Sequence, residues 1–243
     1  MKTKMKLIKL KKIKKNDIYY FRKYKDIFII NDNYKGLIFL NNKLEVLKKL
    51  FIMNDLIIYD DYRIDNKIIL DCPDSNCFIC INMDNFEVNI IDWNKEYYYT
   101  ISMEKYYKEN TIIFLTKSNE KFLIDIQNHK IKPYKNNEYK IEPYKNINHF
   151  ICKTNDYEKL KLKFSIENPE LIVINRNIQI AYNEDILEII DKDTNKVQKI
   201  KPKYKTFIFR SVEIYTLLKH KYLFILENND CNSTISNLLC YEI

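Results

Sequence analysis

Short apolar runs separated by polar turns recur along the whole chain. Residues 187–200 carry the clearest example, in which the run L-E-I-I is followed by D-K-D-T-N-K and then by V-Q-K-I. Similar pieces occupy residues 37–47, 78–91 and 122–131, each with Asn or Asp at its turn. The short side chains of Asn and Asp bond to nearby backbone and tolerate positive φ, as hairpin turns require. The pattern therefore predicts repeated β-hairpins.

Extended over the full length, the same pattern predicts roughly twenty short strands. One stretch also fits a different element. Leu44, Leu47 and Leu50 lie at the spacing of one helix face, because residues three and four apart are neighbours on a helix. Residues 43–53 are therefore open between a strand and a short helix.

The turn centres show a regular spacing. Asn42, Asp84 and Asn128 lie 42 and 44 residues apart, close to the ~40 to 45 residues of a four-stranded propeller blade. The next comparable turn, near Asp193, lies 65 residues further on, so one unit must be irregular. The first strands of the chain are available to complete the last unit, and full closure removes exposed sheet edges.

On these turns and their spacing, the chain resembles the β-propeller superfamily. It lacks the WD40 signature, because the single tryptophan occurs in the reversed order Asp92-Trp93, and Gly36 alone cannot supply the glycine pairs of kelch repeats. The resemblance implies one all-β domain of about five to seven short four-stranded blades, with the ring closed by N-terminal strands joining the C-terminal blade. A large β-sandwich or two small β-domains would fit the same strands. The implied segments of the 243-residue chain are 1–24 for basic closing strands, 25–64, 65–108 and 109–146 for the clearest blades, 147–217 for irregular blades and 218–243 for the last blade.

Composition changes how charge is interpreted. Isoleucine, lysine, asparagine and tyrosine dominate, while glycine appears once. This skew matches AT-rich codons. A net charge of +8 would ordinarily indicate a polyanionic partner, but such codons fill a solvated surface with lysine as well. Only local departures from the average composition are therefore informative.

One local departure is the lysine density near the start of the chain, for which a phosphate backbone is the natural partner. Aromatic residues at 19–24 follow directly, an interleaving typical of RNA-contacting segments. The alternative is an edge strand kept soluble by lysine. A second basic cluster occupies 196–205 and would lie near the first if the ring closes. The predicted nucleic-acid-binding residues are Lys2, Lys4, Lys6, Lys9, Lys11, Lys12, Lys14, Lys15 and Arg22.

The C-terminal residues form a second candidate surface. The C-terminal segment that carries Tyr241 and Ile243 either completes a blade or projects into a protein partner. Tyrosine, of which the chain has 20, is common at interfaces because it combines an apolar body with a polar tip. Both residues are therefore candidate partner-binding residues.

Signals for catalysis or metal binding are weak. Cys77 and Cys80 have the spacing of a metal pair, but in a strand residues three apart point to opposite faces. The three histidines follow no nucleophile motif, and one glycine excludes a glycine-rich phosphate loop. We therefore predict buried structural thiols, no metal, no cofactor and no enzymatic activity.

The sequence predicts a cytoplasmic protein, with the nucleus as an alternative, because it shows neither a signal-peptide core nor the ~20 apolar residues of a membrane helix. The predicted function is a non-catalytic scaffold, monomeric by itself, that docks onto a ribonucleoprotein such as the ribosome. Its partners would be the subunits of a protein complex and structured RNA, with no membrane. The alternatives are a pure protein scaffold of the coat, nuclear-pore or chromatin type, and a hydrolase or lyase with its site at the propeller mouth.

Overall fold

The computed structural model describes residues 5–93, 106–108, 111–115, 120–134, 142–143, 164–166, 169–173, 178–191, 196–217 and 220–242. Within these ranges every regular element is a β-strand, apart from the single 3₁₀ turn Pro73–Ser75. The all-β prediction is therefore confirmed. The strands are β1 (Lys6–Lys14), β2 (Phe21–Tyr24), β3 (Ile27–Asn31), β4 (Gly36–Leu40), β5 (Val46–Phe51), β6 (Asp60–Ile64), β7 (Lys67–Cys72), β8 (Cys77–Asn82), β9 (Val88–Asp92), β10 (Tyr106–Lys108), β11 (Thr111–Leu115), β12 (Lys121–Asp125), β13 (Lys130–Pro133), β14 (Glu142–Pro143), β15 (Glu170–Val173), β16 (Ile178–Tyr182), β17 (Leu187–Asp191), β18 (Lys196–Ile200), β19 (Phe207–Leu217), β20 (His220–Asn229) and β21 (Asn232–Glu242).

The chain divides into two compact units, one formed by Met1–Phe51 with Asn148–Ile243 and the other by Ile52–Ile147. The first unit contains three antiparallel sheets, with strand orders β2-β3-β4-β5, β1-β21-β20-β19 and β15-β16-β17-β18. The second contains β6-β7-β8-β9 and β13-β12-β11-β10-β14. Most neighbours in these sheets are also neighbours in sequence, which is the order that hairpin turns produce.

All four hairpins predicted from the turn pattern are present. They are β4–β5, β8–β9, β12–β13 and β17–β18. The helical alternative for 43–53 is wrong, because Asn41 folds the chain back before β5. Its side-chain Oδ1 accepts hydrogen bonds from the backbone N–H of Lys43 at 2.9 Å and of Glu45 at 2.9 Å, and Leu44 takes a left-handed φ of 59°.

The sheets do not begin and end where the predicted segments do. β6 falls inside the predicted segment 25–64 but pairs with β7, so the sheets run from β2 to β5 and from β6 to β9. The physical reason is that a turn between two sheets carries the same polar residues as a turn within one. Local pattern therefore locates strands better than it groups them.

The first and last described strands pair with each other, as the sequence suggested. β1 runs antiparallel to β21 from Lys6 opposite Glu242 to Lys14 opposite Ile235, with a bulge between Leu7 and Lys9. On its other side β21 pairs antiparallel with β20, so β1 belongs to the same sheet as β20 and β19. The N-terminal strand therefore completes a sheet whose other strands come from the C-terminal region.

Two apolar clusters form the main core of the first unit. Phe21, Phe28, Leu40 and Phe224 belong to the first cluster, in which the rings of Phe28 and Phe224 lie 4.0 Å apart. The second cluster is built from β16, β17, β19, β20 and β21. In the second unit the core contains Phe78 and Trp93, whose ring centroids lie 4.9 Å apart. Long apolar runs such as β4 are buried throughout, as expected for strands covered on both faces.

Candidate polyanion-binding surface

β1 presents two different faces, because successive side chains of a strand alternate. On one face Ile13 packs against the first apolar cluster, while Lys9 and Lys11 donate to the backbone carbonyls of Lys43 and Leu44 in the β4–β5 turn; the Lys11 bond is 2.6 Å long. Burial, together with the charge of Lys9, lowers the pKa of Lys11. These two lysines therefore fix β1 to the turn.

The opposite face of β1 carries Leu10, Lys12 and Lys14. Leu10 packs against the second apolar cluster, whereas Lys12 and Lys14 are exposed. The ammonium of Lys12 lies 5.9 Å from the centroid of the Tyr204 ring, within the range of a cation–π interaction. β1 therefore lies next to the segment that carries Tyr204.

That segment, residues 201–206, is held by a buried carboxylate. Glu227 accepts a hydrogen bond from the backbone N–H of Lys203 at 3.0 Å and one from the side chain of Asn237 at 3.3 Å. Burial raises the pKa of Glu227, and the hydrogen bonds oppose that rise. The Tyr204 ring also lies 5.4 Å from the ring of Phe207. The segment is therefore anchored while its lysines face solvent.

Together these residues form what we call the basic surface: Lys12, Lys14, Lys201, Lys203, Tyr204 and Lys205. All six side chains are exposed, and Tyr204 keeps 42% of its surface in contact with solvent. No Asp or Glu occurs in residues 6–15 or 196–206. Clustered ammonium groups neutralise phosphates, and an exposed aromatic ring stacks on unpaired bases. The arrangement suits a single-stranded or looped nucleic acid.

The other lysines that were predicted to bind nucleic acid are not part of the basic surface. Lys2 and Lys4 lie outside the described residues. Lys6 is exposed at the far end of β1, opposite Glu242. Lys15 is exposed in a left-handed conformation with φ of 61°. Of the predicted set, only Lys12 and Lys14 fall in the basic surface.

Arg22 lies within an aromatic run whose rings are mostly buried. Tyr20, Phe21 and Tyr24 are buried, since their rings help to fill the core. Arg22 is half-buried, with its guanidinium 5.4 Å from the centroid of the Tyr20 ring. Of the tyrosines in the run, only Tyr19 is exposed. The three buried rings are therefore not available for base stacking, and the nucleic-acid contact predicted for Arg22 stays a prediction.

Tyr204 is the aromatic that sequence reasoning missed. It sits alone among lysines in the stretch K-I-K-P-K-Y-K, residues 199–205, and that interleaving is the signal that could have found it. Lys199 in the same stretch is engaged elsewhere, since its ammonium lies 2.6 Å from the carboxylate of Glu188. The predicted proximity of the two basic segments is confirmed at Lys12 and Tyr204.

A serine, a lysine and a carboxylate also converge in the first unit. The hydroxyl of Ser165 donates to Glu188, and the Lys199 ammonium donates to that hydroxyl at 2.8 Å. A lysine activates a serine only in its neutral form, whereas Lys199 is ion-paired with Glu188. Glu188 also accepts from the backbone N–H of Ser165 at 2.9 Å. The cluster therefore anchors residues 164–166 to β17.

Four of the described cysteines, Cys72, Cys77, Cys80 and Cys240, are buried thiols, whereas Cys231 is exposed. Cys77 and Cys80 are both buried in β8, where Cys77 lies opposite Cys72 and Cys80 lies opposite Ile69. The described cysteines are free, and no group of three or more potential metal ligands occurs among the described residues. The predicted lack of convergence between Cys77 and Cys80 agrees with this register.

Tyr241 lies within the fold. It belongs to β21, opposite Leu7 of β1, and packs against the second apolar cluster. Burial raises the pKa of its hydroxyl. Of the two alternatives for the C-terminal strand, completion of a sheet is therefore the one that Tyr241 adopts. Ile243 lies outside the described residues.

No protein-family model and no curated protein matches the chain. Among solved structures it is similar to the crystal structure of the computationally designed Ika4 protein, with 8% identity and a TM-score of 0.37, covering 76% of this chain and 91% of that one. A likeness at this level indicates neither a family nor a function. In the described part of the chain, no helix has the length and apolar character needed to cross a membrane.

Proposed function

We propose that this protein is a non-catalytic binding protein that docks onto a ribonucleoprotein, such as the ribosome, through the basic surface. The observation that carries the proposal is the placement of the Lys12 ammonium 5.9 Å from the exposed Tyr204 ring, which brings two acid-free lysine segments together. Phosphate contacts would supply most of the affinity, and Tyr204 would stack on an unpaired base. The ligand class that fits is RNA with single-stranded loops.

We further propose that the antiparallel sheets are the blades of a β-propeller. Support comes from their construction, since most are runs of four strands in sequence order, and β1 supplies the fourth strand to β21, β20 and β19. Propellers protect sheet edges in this way. Small-angle scattering would distinguish a closed disc from an extended arrangement.

The five described free thiols suit a reducing compartment such as the cytoplasm or nucleus.

The RNA proposal is tested with the triple variant K12Q/K14Q/K203Q. Its affinity for an RNA stem-loop should fall about ten- to a hundredfold at moderate salt, and the slope of log affinity against log salt should become shallower by about 2, because each lost phosphate contact removes ~0.7 to 0.9. Fluorescence anisotropy between low and high salt measures both quantities. Y204A should weaken binding to the loop with the salt slope unchanged, since stacking releases no counterions.

The matched control is K25Q/K35Q/K130Q, which removes the same charge from exposed positions elsewhere. It should keep nearly the original affinity and slope. If both triple variants weakened RNA binding equally, the loss of affinity would be explained by net charge alone. Absence of RNA binding by the unaltered protein at low salt would overturn the proposal itself.

A further inference from the structure

β5 is the outermost strand of its sheet and leaves its side chains in solvent. Among the described residues it pairs with β4 alone. Val46 is 49% exposed, Leu47 50% and Phe51 67%, which are high fractions for large apolar residues. Scattered apolar residues are common on protein surfaces, but a row of them on an open strand edge is a site for pairing with another strand.

The two central residues of β5 carry positive charge. Its sequence, V-L-K-K-L-F, places Lys48 and Lys49 between two apolar pairs, so it reads similarly in both directions. If two copies paired antiparallel about their centres, Lys48 of one would lie opposite Lys49 of the other. Like charges directly opposite each other are destabilising. The charge pattern therefore disfavours a second copy of this chain as the occupant.

We propose that β5 binds an extended segment of a protein partner by strand addition, and that this segment has two acidic residues at its centre with apolar residues on either side. Backbone hydrogen bonds to the outer edge of β5, which has no partner strand among the described residues, would supply affinity, and the alternating side chains would supply selectivity. Each central carboxylate would meet a lysine, while the outer apolar residues would cover Val46, Leu47 and Phe51. This surface shares no residue with the basic surface.

Contacts with β4 and with the preceding turn hold β5 in position. β5 lies so close to β4 that a Cβ built at Gly36 would come within 1.9 Å of the backbone oxygen of Leu50, and the Asn41 side chain fixes the preceding turn. A pre-organised strand loses less conformational entropy on binding. The ammonium of Lys49 lies 3.8 Å from the carboxylate of Asp32, and a partly exposed pair of this kind contributes little to stability, so a peptide carboxylate can replace it at little cost.

The test exchanges charge between protein and peptide. Two labelled 12-residue peptides carry either Val-Leu-Glu-Glu-Leu-Phe or Val-Leu-Lys-Lys-Leu-Phe at their centre, and anisotropy is measured with the unaltered protein and with K48E/K49E. The unaltered protein should bind the acidic peptide at least tenfold more tightly than the basic one. The double variant should reverse this preference, which also shows that it is folded.

Two controls separate strand addition from charge attraction. K25E/K35E makes the same charge change at the turns of the same sheet and should keep the preference for the acidic peptide. An acidic peptide N-methylated at alternate amides should bind at least tenfold more weakly, because it cannot complete the ladder. If K48E/K49E fails to fold, K48E alone, at an exposed position, should lose part of the preference.

Three results would overturn the proposal: equal binding of both peptides, undiminished binding of the N-methylated peptide, or dimers of the unaltered protein that form through β5 at micromolar concentration. The RNA-binding proposal is tested at different residues. A failure of strand addition at β5 would therefore leave the RNA-binding proposal unaffected, and a failure of RNA binding would leave the β5 proposal unaffected.

Discussion

Asn31 uses the whole hydrogen-bonding capacity of its side-chain amide to hold the connection between β1 and β2. Its Oδ1 accepts from the backbone N–H of Tyr19 and Tyr20, both at 3.1 Å. Its Nδ2 donates to the carbonyls of Asp17 at 2.7 Å and Asn33 at 2.8 Å. An amide offers two acceptor and two donor sites, so each buried site is satisfied. Aspartate, which lacks the donors, could not replace it.

Asp71 is the opposite case, a buried carboxyl that is poorly solvated. It is 1% exposed and lies opposite Asp60 in the β6–β7 ladder. Burial, and then the charge of Asp60, raise the pKa of Asp71 to about 7. In the unfolded chain the same carboxyl releases its proton near pH 4. Between these values the folded state holds the proton more firmly than the unfolded state does.

Replacing Asp71 with Asn should remove a pH dependence of stability. As pH rises from about 4 to about 7, the unfolded chain gains from ionisation that the folded protein resists, so stability falls by up to about 4 kcal/mol and stays low above that range. D71N has no proton to lose there. Chemical denaturation at pH 5 and pH 8 should therefore give a smaller difference in unfolding free energy for D71N than for the unaltered protein.

The control for this prediction is N42A, which changes an exposed side chain without a titratable group in the β4–β5 turn. Its stability should follow the same pH curve as that of the unaltered protein, because neither state gains or loses a proton at this position. Parallel curves for D71N and the unaltered protein would contradict the assignment of the proton to Asp71.

At the scale of elements, Gly36 shows how closely two strands approach. Its Cβ position would meet the Leu50 backbone oxygen at 1.9 Å and the carbonyl carbon at 2.9 Å. Because these are backbone atoms, no side-chain rotation can relieve the clash. G36A should therefore destabilise the first unit by roughly 2 to 3 kcal/mol, the upper range for overpacking. Thermal unfolding measures the loss, and hydrogen exchange should locate it in β4 and β5.

A suitable comparison for G36A is K35A, at the exposed turn position immediately before it. That change should alter stability by no more than about 0.5 kcal/mol, as surface substitutions usually do. A G36A protein as stable as K35A would mean that β5 moves away from β4 at little cost.

Elements were largely predictable, because the signals that form them are local. An apolar run and an Asn or Asp turn lie within one hairpin, and the Asn41 turn that excludes a helix is itself set by Asn41, Lys43 and Glu45. Burial of a side chain, in contrast, depends on residues that are distant in the sequence. Phe21 looks like part of a basic-aromatic binding segment, but residues of β3 and β20 pack around it in the folded protein, and Tyr24 is buried as well. The basic surface was therefore only half visible in the sequence, at its lysines and not at Tyr204.

At the scale of the whole molecule, the pairing of β1 with β21 joins distant parts of the chain. A variant lacking residues 1–14 would leave the edge of β21 open and uncover Leu238 and Cys240, which are buried beside Ile13. We expect faster hydrogen exchange in β20 and β21 and concentration-dependent aggregation, because an open edge invites strand pairing. Exchange mass spectrometry and light scattering test this.

The lysine-to-glutamine variants of β1 are the matched comparison for that deletion. They keep Leu10 and Ile13 in place, so exchange in β21 should stay slow. Unchanged protection of β20 and β21 after deletion would show that β1 contributes little to the sheet.

The pairing of β1 with β21 was suggested by the need to complete a sheet, but its register and the bulge at Leu7 could not be predicted from the local sequence pattern. Because AT-rich codons would raise the lysine content of the whole chain, composition also does not show which lysines serve a function.

The same pairing has a consequence for how the protein is made. Residue 14 lies opposite residue 235, so the end of β1 is synthesised 221 residues before the residue with which it pairs. At about 5 to 20 residues per second, it waits roughly 10 to 45 seconds as an unpaired strand in a crowded cell. We expect the six lysines within residues 6–15 to disfavour pairing with a wrong neighbour during that interval, because lysine on an unpaired strand opposes edge-to-edge association. The charge that we propose faces a polyanion in the folded protein would therefore also protect the nascent chain against misfolding.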